Sequence, residues 1–173
     1  MKKTVIFLSC AYLCLTGCAY RHYEHYDRSA LNPKRSDVAL LVGVNGITLP
    51  NWKTKSNVGR IAGGFSHIDN KSFIKLLDSI ELIPGKHRFS YEISNMWERG
   101  GSGLETEADG IDIDVKANSV YALEYQVVSY DKWKGKGSGQ FQVICLPVKY
   151  SDLEKIEGAS ISQVGWRVKA SRP

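Results

Sequence analysis

From Arg88 to Val127 the chain alternates apolar and polar side chains with a period of two, and this pattern constrains the fold more than any other feature. Phe89, Tyr91 and Ile93 alternate with Arg88, Ser90 and Glu92; Ile111, Ile113 and Val115 with Asp112, Asp114 and Lys116; Tyr121, Leu123, Tyr125 and Val127 with Ala122, Glu124 and Gln126. Successive side chains of a strand point to opposite faces, so each run reads as a strand with one face on a core. Apolar runs at 38–44, 58–68, 79–83, 141–148 and 161–168 extend the series, separated by the turn signals Asn45-Gly46, Asp69-Asn70 and Pro84-Gly85. Such spacing predicts an all-β fold, a single antiparallel β-sandwich. The nearly continuous apolar run at 141–148 reads as a central strand. Helical signals are few. Phe73, Ile74 and Leu77 suit one turn of helix, and Ser151-Asp152-Leu153-Glu154 has the form of a capping box opening a short helix to Glu157.

The N-terminus carries a different signal. Lys2 and Lys3 form a positive region, residues 4–13 an apolar one, and small residues follow, the layout of a secretory signal too short to span a bilayer. Leu15-Thr16-Gly17-Cys18 resembles the lipobox of bacterial lipoproteins. That resemblance implies cleavage before Cys18, diacylglycerol on its sulfur and fatty acylation of the new amine, with two or three chains holding the protein on a membrane. Ala19 stands where an aspartate marks retention in many enterobacteria-like lipoproteins. The implied address is therefore the cell outer membrane, periplasmic face, or the outer leaflet of the plasma membrane where a cell has a single membrane. The expected organisation is a signal peptide at 1–17, the lipidated cysteine and a flexible tether at 18–37, and a β-sandwich domain at 38–173. As a coil the tether would span on the order of 25 Å, and about 60 Å if drawn out.

Cysteine usage limits how the domain can be stabilised. Of four cysteines, Cys10 and Cys14 lie in the signal and Cys18 is assigned to lipid, which leaves Cys145. Its apolar neighbours Ile144 and Leu146 suggest a small core residue, and no internal disulfide is available. The formal charge of +5 drops by two with Lys2 and Lys3, too small a surplus to imply nucleic acid. Ile83-Pro84-Gly85-Lys86-His87-Arg88-Phe89, followed by Ala117-Asn118-Ser119-Val120-Tyr121, resembles a turn and strand of small β-sandwich modules in bacterial lipoproteins, over residues 38–128. This implies an immunoglobulin-like or transthyretin-like sandwich and brings no catalytic role.

Signatures of catalysis are sparse. The chain has no Gly-x-Ser-x-Gly, His-Glu-x-x-His or Cys-x-x-Cys. Gly135-Lys136-Gly137-Ser138-Gly139 has the wrong spacing for a phosphate loop and reads as a hairpin loop. His22 and His25, with Glu24 and Asp27, are the candidates for zinc or copper, but a mobile tether does not hold ligands in fixed geometry, so no metal and no cofactor is expected. His87 reads as a structural hydrogen-bonding residue, His67 has no evident partner, and Asp112 and Asp114 read as a solvent face opposite Lys or Arg. Trp52, Trp97 with Arg99, and Trp133 with Lys134 sit in polar, loop-like surroundings and are candidate binding loops, set against the reading that each ring caps the core; Trp166 reads as core.

The expectation is therefore a non-catalytic, lipid-anchored envelope protein that binds or scaffolds a periplasmic partner protein or an envelope glycan. An accessory lipoprotein of a secretion or pilus machine is the alternative. A hydrolase or metal-dependent enzyme would instead gather His67 or His87 with acids at a pocket. The anchor has a direct test: Cys18→Ser is expected to accumulate uncleaved and to take up no labelled palmitate, and label on the variant would refute the assignment.

Overall fold

Tyr121, Leu123 and Tyr125 are buried on one face of their strand while Val120 and Ala122 are buried on the other, so the apolar pattern here serves two cores. The structure, a computed structural model, describes residues 21–26, 31, 33–44, 46–50, 52–53, 60–97, 106–131, 136–163 and 166–169. In chain order the strands are β1 His22–His25, β2 Ala39–Val42, β3 Ile47–Leu49, β4 Trp52–Lys53, β5 Arg60–Ile68, β6 Lys71–Leu77, β7 Ser79–Leu82, β8 Gly85–Trp97, β9 Thr106–Val115, β10 Ser119–Asp131, β11 Lys136–Lys149, β12 Ser160–Gln163 and β13 Trp166–Lys169, with a 3-10 helix, Tyr150–Lys155, after β11. The fold is all-β, and among the described residues three open sheets are ordered β1-β7-β2-β10-β11, β13-β12-β3-β4 and β6-β5-β8-β9.

The five-stranded sheet lies between the two cores. Its Leu41, Ile80, Leu82, Leu123 and Tyr125 pack with Phe65, Ile68, Phe89, Tyr91, Ile93 and Val115 of the β5/β8 sheet. Its Leu40, Val42, Val120 and Ala122 pack with Ile47, Leu49, Tyr150 and Leu153 on the other side. Aromatic rings meet edge to face in the larger core, Phe65 lying 5.0 Å from Tyr91 and 5.5 Å from Phe89 between centroids. Pro84-Gly85 carries the chain from one sheet to the other, and Gly85, at φ 136°, adopts a backbone conformation that a side chain would strain.

Several expectations are corrected. The five-stranded sheet is not wholly antiparallel, since β1 runs parallel to β7 and β2 to β10. Residues 73–77 form strand, not helix: Phe73 and Leu77 pack on the core while Ile74 is fully exposed, a split that one helical face would not give. The helix near Ser151 is a 3-10 helix capped at Lys149 without a side-chain bond, and the Ser151 N–H is satisfied by Asn118 Oδ1 at 2.8 Å instead. β11 is an edge strand, so Cys145 is exposed, not core. Residues 136–139 belong to β11, where no helix terminus follows to receive a phosphate. Finally, β1 occupies the middle of the stretch read as a flexible tether.

Phe65 supplies the measurable prediction for this core. Phe65→Ala is expected to cost about 3–5 kcal/mol in denaturant unfolding, and Ile74→Ala less than about 0.5 kcal/mol; equal costs would contradict the assignment of inward and outward faces.

Candidate functional site

Strand β1 is short, and polar contacts from several elements fix it. The Arg21 N–H donates to Asp78 Oδ2 at 2.7 Å and its guanidinium to the Leu76 carbonyl at 3.0 Å, while the Arg21 carbonyl accepts from the N–H groups of Asp78 and Ser79. The register then pairs His22 with Ser79, Tyr23 with Ile80, Glu24 with Glu81 and His25 with Leu82. Alternation sends His22 and Glu24 to one face of the sheet and Tyr23 and His25 to the other. Tyr23 packs edge-on against Phe73 at 4.8 Å and accepts a hydrogen bond from Lys71 Nζ at 2.5 Å. A cluster of acid and imidazole forms on each face.

On the first face the centre is Glu81, which is buried. Tyr26 donates to its Oε2 at 2.5 Å, Tyr150 to its Oε1, and His22 Nε2 stands 3.6 Å from Oε1. Burial alone would push this carboxyl up; the contacts from His22, Tyr150 and Tyr26 outweigh it and hold the group at about 2. His22 Nδ1 also meets Ser79 Oγ at 2.7 Å. Serine, histidine and acid thus stand in line, but Ser79 is fully buried and no substrate can reach its hydroxyl. A cavity of about 330 Å³ adjoins this face, lined in part by His22, Glu24, Tyr26, Arg35 and Tyr150.

On the second face the centre is Asp69, in the turn between β5 and β6 at φ 50°, a left-handed conformation that aspartate tolerates. Its Oδ1 accepts the Arg88 N–H at 2.8 Å, and its own N–H donates to the Arg88 carbonyl at 2.6 Å. Its Oδ2 lies 2.8 Å from His87 Nδ1 and 2.9 Å from His25 Nε2. Burial tends to raise the Asp69 carboxyl, but the bonds from His87 and the Arg88 N–H, with the nearby imidazole charges, leave it below its ordinary value. His87 is buried, and its Nε2 bonds the Ile83 carbonyl at 2.8 Å across the Pro84-Gly85 crossover. Asp69 and His87 line a cleft of about 530 Å³ together with Lys86, Arg88, Asp112 and Asp114. There Lys86 pairs in register with Asp114 and Arg88 with Asp112, whose carboxylate is 3.6 Å from the guanidinium.

Each cluster gathers three imidazole or carboxylate donors within 4.8 Å of one another. The objection that His22 and His25 lack fixed geometry therefore no longer applies. Nothing local in the sequence marks Glu81, Tyr26, Tyr150 and Asp69 as site residues, for the contacts that assemble the clusters run over 18 to 69 positions. His67 is exposed, with Ser66 Oγ 3.1 Å from its Nδ1. Cys18, Arg99, Trp133 and Lys134 lie outside the described residues. Trp52 falls in β4 and Trp97 at the end of β8, opposite Arg60, with their side chains outside the description. No family model, curated protein or solved structure matches the chain.

The low value of Glu81 makes acid stability a readout. Its ionised form stabilises the fold fully above the unfolded-state value, about 4.3, and this is lost as pH falls from there toward about 2. Glu81→Gln is expected to be about 2 kcal/mol less stable at pH 7. The gap from the native chain should narrow as pH drops through that window, and a gap independent of pH would show that Glu81 is not held as described.

Proposed function

We propose that the chain is a lipid-anchored cell-envelope protein without a catalytic role, whose β body binds or scaffolds a periplasmic partner protein or envelope glycan at the outer membrane. The observation that carries this reading is the lipobox cysteine, Cys18, four positions before the start of β1. Four extended residues reach at most about 14 Å. With Arg21 fastened to Asp78, acyl chains on Cys18 would hold the edge of the β1/β7 sheet close to the lipid surface, not at the end of a long tether. The rest of the molecule would then face away from the bilayer and be presented to partners.

The layering of the β2/β10 sheet on the β5/β8 sheet supports reading the body as a sandwich of the immunoglobulin-like or transthyretin-like kind, with the β3/β12 sheet added outside it. In this reading Trp52 in β4, Trp97 at the end of β8 and Trp133, with Arg99 and Lys134, supply the contact surface, because an aromatic ring beside a cation stacks on sugars and anchors protein interfaces. A secretion or pilus assembly machine is one setting that such an accessory protein would serve. Metal-dependent chemistry is a second reading, favoured by one observation: His87 meets Asp69 and His25 beside a cleft.

Crosslinking in intact envelopes tests the proposal. The native chain should fractionate with membranes and carry a discrete crosslinked species, and Trp97→Ala with Trp133→Ala should abolish that species while leaving the melting temperature unchanged. A native chain that is soluble without detergent, or tryptophan variants that lose stability instead of the crosslink, would overturn it.

A further inference from the structure

We propose that His25, Asp69 and His87 form a binding site for a divalent transition metal of the zinc class, which clasps strand β1 to the β5/β8 sheet. The inference stands apart from the lipid anchor and depends only on these side chains. The Ile83 carbonyl 2.8 Å from His87 Nε2 can only accept, so that nitrogen carries a proton and, in the neutral ring, Nδ1 carries a lone pair. That lone pair is aimed at Asp69 Oδ2, 2.8 Å away, where an anion and an acceptor would repel. A metal ion between the two would remove that repulsion.

His25 supplies the third donor. Its Nε2 comes from the other sheet to within 2.9 Å of the same carboxylate oxygen, and the two imidazole rings meet edge to face at 5.9 Å. One carboxylate oxygen thus collects an imidazole nitrogen from each of two sheets, and all three donors lie within 4.8 Å of one another, within reach of a single ion. Two imidazoles and a carboxylate are the donor set of three-ligand zinc sites, which keep a fourth position for water, and the cleft beside Asp69 and His87 supplies that space. An ion about 2.1 Å from each donor in tetrahedral geometry requires donors about 3.4 Å apart, so the present contacts open by roughly half an ångström. Supporting bonds are already in place: the Ile83 carbonyl orients His87, and the Arg88 N–H holds Asp69 Oδ1. The cluster of His22, Glu24 and Glu81 is less suited, because Glu81 already accepts from two tyrosine hydroxyls.

The full chain, purified in detergent and stripped with a chelator, would be titrated with Zn²⁺ by calorimetry and with Co²⁺ by visible absorption. One ion per chain, a tetrahedral Co²⁺ spectrum and a melting temperature raised by about 10 °C at a thousandfold excess over Kd are expected. His25→Ala removes a partly buried side chain of an edge strand that other bonds also hold, and Asp69→Asn keeps both the left-handed turn and an acceptor for Arg88. Each should weaken binding about 100-fold with the circular dichroism spectrum preserved. Absence of saturable binding by the native chain, binding unchanged in His25→Ala, or binding lost in His22→Ala but kept in His25→Ala would each overturn the proposal.

Discussion

The parallel ladder between β2 and β10, pairing Leu40 with Val120, Leu41 with Tyr121 and Val42 with Ala122, is the constraint on which the remaining architecture depends. Both faces of this ladder are dry, so its backbone groups must pair within the sheet, and every side chain contributes burial, about 1.5–3 kcal/mol for each large one. Parallel neighbours cannot be joined by a tight turn and need a long crossover. Here the crossover holds the whole β5/β8 sheet, which folds back over one face of the ladder and closes the larger core. The 3-10 helix and the strands β3 and β12 cover the other face.

This arrangement leaves one side of β7 open, and β1 fills it with only four residues. So short a strand buries little apolar surface, and its attachment is mostly polar: Arg21 with Asp78, Tyr26 with Glu81, Tyr23 with Lys71, His25 with Asp69. At about 1 kcal/mol net for each neutral bond, and up to about 3 for those to charged groups, the set is sufficient to hold a strand that packing alone would not. The polarity of residues 21–26, which reads as a solvated tether, is the composition of a short strand and its flanks fixed by their side chains.

Legibility in the sequence follows from the range of the interactions concerned. Alternation marks β8, β9 and β10 clearly because one residue decides the direction of the next, and Pro84-Gly85 marks the crossover between sheets for the same local reason. Strand order depends on distant partners, and this is where the reading departs from the structure. An apolar run such as 141–148 looks the same whether its strand has two neighbours or one, so the pattern points to a central strand and a core Cys145 where the structure has an edge strand and an exposed thiol. His22 and His25 were noticed as candidate ligands, but their acids, Glu81 and Asp69, lie 59 and 44 positions away. Proximity of that kind exists only once β1 is paired with β7.

Glu81 and Asp69 show how two carboxylates beside the same strand come to differ. Two hydroxyl donors, Tyr26 and Tyr150, meet Glu81 with no change of charge and His22 adds a third contact, so the ionised acid is stable and serves to hold the strand. Asp69 Oδ2 has imidazoles in the same positions, and the ring of His87 is turned by the Ile83 carbonyl so that its proton faces away. Hydroxyls complete a carboxylate without charge, whereas the lone pair that a neutral His87 ring turns toward Asp69 does not. The proposed ion would therefore tighten the contact between β1 and the neighbouring sheet at His25, whereas at Glu81 hydroxyls and His22 already hold the strand.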